Sequence, residues 1–226
     1  IDNPLYTRKG SQFMFSVAAT PPWSLWDGKD YKNMSDQDEA KFRMIEYHKW
    51  KFKAKIFSPL APLTVKRTPV LMTRVEYGFL GSYNKYKKSP FETFYMGGDG
   101  MSGYSSTYAT ETIGLRGYEN GSIAGNGGYN SYGYAYSRLS MELRYPFLLE
   151  PSSTIYGLVF VEAGNAWRDL KDFNPFQLKR SAGVGVRIFL PMIGLMGIDW
   201  AYGFDRPDGY DQRGGSNFHF IIGQEF

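Results

Sequence analysis

The sequence contains no cysteine and no long hydrophobic run. Without cysteine among its 226 residues, the chain cannot form disulfide bonds or a thiolate metal site. No stretch approaches the roughly 20 apolar residues that a membrane-spanning helix needs, and the mean hydropathy is negative, so a helical membrane protein is excluded. A protein that crosses a membrane with β-strands is not excluded, because strands that alternate apolar and polar residues average to a polar score.

Histidine is scarce, and neither sign of charge is in large excess. His48 and His219 are the only histidines, and no EF-hand spacing of acids is present. His219 points inward by parity with Asp199 on the adjacent strand, and a polar contact in the lumen is the simplest interpretation of that pair. The formal net charge of +4 is modest, which disfavours a nucleic-acid partner. We expect no enzymatic activity, no catalytic residues, no metal site and no cofactor.

Aromatic residues and glycine are abundant. The chain is 18% aromatic and has 26 glycines, a mixture that indicates β structure with wet and apolar faces rather than a soluble helical fold. Alternation of apolar and polar residues predicts about eight strands. The clearest five cover residues 136–145, 155–163, 182–190, 196–203 and 216–226.

The alternation puts charge and apolar surface on opposite faces of the same strand. Met141 and Leu143 share one face of 136–145, whereas Glu142 and Arg144 share the other. A charged inner face opposite a continuous apolar face is the reverse of a soluble barrel and predicts an outer surface that contacts lipid. The alternative is a soluble β-sandwich, which would leave the apolar rows as a larger exposed patch than soluble proteins tolerate.

A row of lysines lies on one face of an earlier strand. Four lysines alternate there with apolar residues: Lys49, Lys51, Lys53 and Lys55. We expect this row to face water in a hydrated barrel lumen, because charged groups are unstable in an apolar interior.

The predicted connections alternate between long and short. The long ones run from about 23 to 41, 81 to 133, 164 to 180 and 203 to 216, and the short ones lie near Pro59, at 146–153 and at 191–194. This layout is typical of outer-membrane barrels. The sequence therefore predicts an all-β fold, a portion of a transmembrane antiparallel β-barrel with long extracellular loops and short periplasmic turns, as one domain over residues 1–226.

Two motifs lie in the longest predicted loop. They are Met96-Gly97-Gly98-Asp99 and Leu115-Arg116-Gly117-Tyr118. If this loop folds into the barrel, the arginine at its tip needs carboxylate partners, because an unpaired guanidinium is unstable inside a protein. Glu142 and Glu162 point inward by parity on the two strands that follow the loop, so we expect them to pair with Arg116. Gly117 permits a turn, and Tyr118 can stack on the guanidinium or pack against the wall.

The chain ends in a strand with apolar residues at alternate positions. Phe218, Phe220, Ile222 and Phe226 lie at alternate positions together with Gln224, and Gly223 lies inside the pattern. They resemble the β-signal that insertion machinery reads on outer-membrane barrels. Together with the loop motifs, they make nearly the whole chain resemble the BamA family of outer-membrane protein insertases, although Leu115 and Tyr118 stand where the family motif has valine and phenylalanine.

The resemblance implies a larger parent protein. In that family a sixteen-stranded barrel follows periplasmic POTRA domains, and its first and last strands form a seam that opens toward lipid. With about eight predicted strands, no POTRA segment and an opening at Ile1 rather than methionine, the chain is expected to be the second half of such a barrel.

The resemblance favours a role in inserting β-barrel proteins into the bacterial outer membrane by strand templating at the seam. The partners that it implies are outer-membrane lipids, unfolded barrel substrates and accessory lipoproteins of an assembly complex. A passive channel or a dedicated secretion pore of the same barrel superfamily is the alternative, because the strands alone do not separate the two functions.

Overall fold

The computed structural model describes residues 2, 5–35, 38–100, 111–123, 132–150, 152–192 and 194–222. Within these residues there are ten β-strands. They are β1 (Gly10–Ala19), β2 (His48–Pro59), β3 (Val70–Gly81), β4 (Phe94–Met96), β5 (Glu111–Ile113), β6 (Ala135–Glu150), β7 (Ser153–Trp167), β8 (Lys179–Leu190), β9 (Gly194–Gly203) and β10 (Gly215–Ile222). The described helices are α1 (Glu39–Phe42) and two 3-10 turns at Trp23–Leu25 and Leu170–Asp172. None of them is long and apolar enough to cross a membrane.

Eight of the strands form one antiparallel sheet in the order β1-β2-β3-β6-β7-β8-β9-β10. Neighbours in the sheet are neighbours along the chain, apart from the step from β3 to β6, which spans the long loop. In the part of the chain that the structure describes, β1 pairs only with β2 and β10 only with β9, so the sheet is not closed. The predicted portion of an antiparallel barrel, with eight wall strands, is confirmed.

The two faces of the sheet differ as the alternation predicts. Apolar side chains of the outer face are exposed, among them Met141, Leu143, Val159, Val161, Val184 and Val186. Charged side chains of the inner face are buried, among them Arg74, Glu76, Arg138, Glu142, Arg144, Glu162, Arg187 and Asp199. An apolar exterior around a polar interior is the arrangement of a membrane barrel.

The hairpin of β6 and β7 is longer than the sequence predicts. Residues 146–153 were expected to form a short link, yet only residues 151 and 152 separate the two strands. Pro146 pairs with Tyr156 and Leu148 with Ile155, so Phe147 is the extra residue of a β-bulge. A bulge accommodates proline within a strand, because its missing N–H then interrupts no regular ladder. The prediction of a link beginning at Pro146 is therefore wrong.

The turns on either side of this hairpin differ from each other. The link between β2 and β3 spans residues 60–69, longer than the short turn expected near Pro59, and a hydrogen bond from Leu60 N to Pro69 O (2.9 Å) closes it. Thr68 stabilises the turn, since its Oγ1 donates to Val65 O at 2.7 Å. The turn between β8 and β9, residues 191–193, is short as predicted.

The long loop between β3 and β6 folds back against the inner face of the sheet. Within it β4 and β5 pair in parallel, and Phe94 forms a bridge with Gly133, shortly before β6. Apolar side chains of the loop and the wall pack in one cluster: Leu80, Phe94, Met96, Ile113, Leu115, Tyr118, Ile123, Tyr136 and Ala166. This apolar core positions the motif of the loop tip against the wall.

The lysine row of β2 contacts the folded loop. Lys49 is 5% exposed, and its Nζ lies 3.2 Å from Glu92 Oε2 and 3.1 Å from Glu111 Oε2. Lys51 Nζ lies 3.0 Å from the same Glu111 oxygen. The expectation that the whole row faces water is wrong for Lys49, because acids of the loop take the place of its hydration.

Candidate functional site at the tip of the lumen loop

The Arg116 side chain is fully buried, at 0% exposed, and faces three carboxylates. Its Nη2 donates to Glu142 Oε1 at 2.6 Å and to Glu162 Oε1 at 2.7 Å. Its Nη1 donates to Asp199 Oδ2 at 2.9 Å, and its backbone N–H donates to Glu162 Oε2 at 3.0 Å. The structure thus brings Arg116 together with Glu142 and Glu162 as the sequence predicts, and adds Asp199 as a third acid.

Each of these carboxylates also binds an arginine of the barrel wall. The pairs are Arg144 Nη2 with Glu142 Oε2 (2.7 Å), Arg138 Nη2 with Glu162 Oε1 (2.8 Å) and Arg187 Nη1 with Asp199 Oδ1 (2.5 Å). Such charge-assisted hydrogen bonds compensate the buried groups for the water that they lose. The acids therefore lie between the arginine of the loop and three arginines of the wall.

Phe160 of β7 covers the face of the Arg116 guanidinium. The ring centroid lies 3.4 Å from Arg116 Cζ. Stacking on an aromatic ring leaves the N–H groups at the edge of a guanidinium available for hydrogen bonds. The stacking role that the sequence allowed for Tyr118 is filled by Phe160.

Gly117 follows in a backbone conformation that favours glycine, with φ of +88°. A Cβ at this position would lie 2.9 Å from Gly203 N and 2.9 Å from Ser181 Cβ. The expected turn is therefore present, and the absence of a side chain is what permits the tip to approach the wall so closely.

Tyr118 packs against the wall rather than on Arg116. Its hydroxyl donates to Arg180 O at 2.7 Å and accepts from the Asp205 N–H at 3.3 Å. Burial raises the pKa of Tyr118 to about 12, so the phenol stays protonated and able to donate well into the alkaline range. Gly214 provides space for the ring, because a Cβ there would lie 2.6 Å from Tyr118 Cδ1.

Leu115, the first residue of the motif, is hydrogen-bonded to the other loop motif, Met96-Gly97-Gly98-Asp99. Leu115 is buried, and its N–H donates to Gly98 O at 3.1 Å. Gly97 and Gly98 follow β4 and have φ of +129° and +71°. A Cβ on Gly98 would collide with the side chain of Asn120. The two loop motifs are therefore in direct contact.

The apolar residues of the predicted terminal strand lie on the outer face of β10. Phe218, Phe220 and Ile222 are exposed there. Gly223 and Phe226, the other two residues of the predicted β-signal, lie outside the described residues. The inner face of β10 carries Asn217 and His219, which contact the loop tip.

Several partners of the motif were not predicted as such, among them Asn217 and Phe160. Asp199 and His219 were placed inward, but neither was assigned to the motif, although the parity that selected Glu142 and Glu162 applies equally to Asp199. Across β9 and β10 they are paired in register. Among the described residues, no group of three or more His, Asp or Glu side chains is placed to hold a metal ion.

The fold and this site define a class: a membrane-barrel portion whose long loop folds back into the lumen and is anchored to the wall through a buried arginine. The family model of the Omp85 superfamily domain matches residues 2–226. The chain belongs to the Omp85 superfamily.

A comparison of structures agrees with this assignment. The crystal structure of BamA from Haemophilus ducreyi lacking POTRA domains 1–3 is similar to this chain, with a TM-score of 0.60 and 19% sequence identity. The match covers 97% of this chain and 39% of that chain, so this chain spans less than half the length of that structure. No curated protein sequence matches the chain. The predicted BamA-like barrel is confirmed at the level of family and fold.

Proposed function

We propose that this chain is the carboxy-terminal half of the barrel of an assembly factor that inserts β-barrel proteins into the bacterial outer membrane. The observation that carries the proposal is the attachment of the Leu115–Tyr118 tip to five consecutive strands of the wall, β6 to β10. Membership of the Omp85 superfamily supports the same assignment.

The mechanism that we propose uses backbone hydrogen bonds rather than chemistry on a substrate. Within the described sheet, β10 is the last strand and β9 is its neighbour. Such an edge can pair with an incoming strand by β-augmentation. The outward row Phe218, Phe220 and Ile222 would then continue as lipid-facing surface on the growing sheet.

The partners follow from this mechanism. Outer-membrane lipids would contact the apolar exterior, and unfolded barrel proteins would pair with the edge. Accessory lipoproteins of an assembly complex are proposed as further partners of the full-length parent. The proposed location is the bacterial outer membrane, and the proposed activity is not enzymatic.

Depletion of the full-length parent from its host cells tests the proposal. Unrelated outer-membrane barrels are then quantified by mass spectrometry of the membrane fraction, with a plasmid-borne wild-type copy as the control that should restore them. We expect a broad loss of barrels on depletion. If a single exported or surface protein changes and the other barrels stay at normal levels, a dedicated secretion pore replaces the insertase.

A further inference from the structure

The backbone N–H and the backbone carbonyl of Gly117 are both hydrogen-bonded to side chains of β10. The Gly117 N–H donates to His219 Nε2 at 2.9 Å, and the Gly117 carbonyl accepts from Asn217 Nδ2 at 3.0 Å. Asn217 and His219 lie two residues apart, so they share the inner face of the strand. Because His219 Nε2 accepts this bond, it carries no proton, and the imidazole is in the neutral form with its proton on Nδ1.

The adjacent residue, Arg116, is attached to other strands. Its carboxylate partners Glu142, Glu162 and Asp199 lie on β6, β7 and β9. Two consecutive residues of the loop therefore connect β6, β7 and β9 to the last strand, β10. In the described sheet, the only strand that pairs with β10 is β9.

Glycines on the wall make room for this contact. A Cβ on Gly203, at the end of β9, would collide with the Gly117 carbonyl oxygen, and a Cβ on Gly214 would lie 2.5 Å from that oxygen. Gly203 pairs with Gly215 where β9 meets β10. The tip is thus seated at the junction of the last two strands.

We propose that Asn217 and His219 are positioning residues that couple the seating of the loop tip to the position of β10. The proposal rests on the proposed function, in which β10 is one side of the seam. If β10 separates from β9, one of two sets of contacts must break. Either the two hydrogen bonds between β10 and Gly117 are lost, or the loop tip moves with β10 and Arg116 loses its bonds to the three acids. Loop seating and strand pairing therefore stabilise each other, and such coupling is reciprocal.

Hydrogen–deuterium exchange of the full-length parent in lipid nanodiscs measures the coupling in both directions. Arg116→Ala should speed exchange of the β10 amides by about tenfold, because the hydrogen bonds of its side chain go to acids on β6, β7 and β9 and the unseated tip no longer holds β10. Conversely, Asn217→Ala and His219→Leu should speed exchange in the segment 115–118. Asn217 is only partly buried, so Asn217→Ala keeps the test available if Arg116→Ala folds poorly, and His219→Leu serves as the second β10 variant because Asn217→Ala also removes a bond to Gly214 O (2.8 Å).

Two further variants separate coupling from a general loosening of the strand. Ser216→Ala removes an outward hydrogen bond, the one from Trp200 Nε1 at 2.8 Å, and should leave segment 115–118 unchanged. His219→Gln retains an acceptor for the Gly117 N–H and should restore most of the protection that His219→Leu removes. If Arg116→Ala affects only the loop, and the β10 variants affect only β10, the coupling does not exist.

The two proposals fail in different experiments. Exchange is measured on the purified parent without a substrate, so it reports the coupling whatever the barrel inserts or exports. Coupled exchange together with normal barrel levels after depletion would keep this inference and remove the insertase function. Uncoupled exchange together with a broad loss of barrels would remove this inference and keep the insertase function.

Discussion

Around the Arg116 guanidinium, each carboxylate of the wall binds two arginines rather than one. Three carboxylates stand against four guanidinium groups, and each carboxylate binds Arg116 and one arginine of the wall. If Arg116 were removed, each of the three acids would still pair with one arginine of the wall. If one acid were removed, Arg116 and one arginine of the wall would each lose a carboxylate partner. Removing a buried acid should therefore be more damaging to the wall than removing the buried arginine of the loop.

Arg116→Ala and Glu162→Gln in the full-length parent test this ranking. We expect Arg116→Ala to lower barrel stability by about 1–2 kcal/mol, because it removes the loop anchor but leaves the acids paired. Glu162→Gln should lower it by about 3–5 kcal/mol, because Arg116 and Arg138 both lose their shared carboxylate. Unfolding in urea, followed by the mobility shift of folded barrels on gels, measures both values.

Arg180→Ala is the matched control for these variants. The Arg180 side chain is 68% exposed and pairs with Asp205 at 2.9 Å, and exposed pairs contribute little to stability. Its loss should change stability by less than about 1 kcal/mol. Equal effects of Arg116→Ala and Glu162→Gln would contradict the shared arrangement of charges.

Among the elements, β5 links the lumen loop to the first strands of the sheet. Glu111 at its start binds Lys49 and Lys51 of β2, while Phe94 of β4 packs on Tyr136 of β6 with ring centroids 4.6 Å apart. The pair of β4 and β5 is too short to be stable alone. Its place in the lumen depends on these contacts with the wall.

The seating of β5 should weaken in acid. Burial raises the pKa of the Glu111 carboxyl, but hydrogen bonds and charge from Lys51 and Lys49 outweigh burial and hold the pKa below its ordinary value of 4.5. A lowered folded-state pKa contributes stability that is present above the unfolded-state pKa and is lost as pH falls through the folded-state pKa. Proteolysis of the loop should therefore be faster below about pH 4 than at neutral pH.

Glu111→Gln and Glu119→Gln distinguish this carboxyl from the others of the loop. Glu111→Gln should make the loop protease-sensitive already at neutral pH and reduce the difference between the two pH values. Glu119 is exposed, and Glu119→Gln should behave as wild type. An unchanged pH profile in Glu111→Gln would assign the acid sensitivity to another group.

At the scale of the whole molecule, the apolar outer face and the polar inner face accept different substitutions. Val184 lies near the middle of β8 on the exposed outer row, and its register partners are Val159 and Trp200. A lysine on the lipid face near the bilayer midplane costs about 2–4 kcal/mol. Val184→Lys in the full-length parent should therefore lower folding stability in lipid vesicles by about that amount.

Val184→Thr provides the comparison for the effect of charge. It keeps a β-branched side chain of similar volume and adds a neutral hydroxyl, which costs less in an apolar environment than a charge, so it should lose less stability than Val184→Lys. Folding yields of the two variants in vesicles are compared by the gel shift of the folded barrel. If Val184→Lys folds as well as Val184→Thr, this row does not face the hydrocarbon.

The period-two pattern of the sequence was enough to predict the eight wall strands, their faces and part of the site, but not β4 and β5 within the long loop. Parity alone placed Glu142 and Glu162 on the inner face, because side chains alternate strictly along a strand. A lone arginine between glycines and aromatics then required such partners. These features are local, so they can be read from a single chain.

Tertiary structure decided the contacts between distant segments that carry no periodic pattern. Arg116 and Asp199 are 83 residues apart, and Gly117 and His219 are 102 apart. The parallel pairing of β4 with β5 and the burial of Lys49 likewise depend on how the loop folds back. The sequence by itself determined which groups face the lumen, whereas their pairing was decided by the path of the loop, which packing and charge compensation select only in the folded chain.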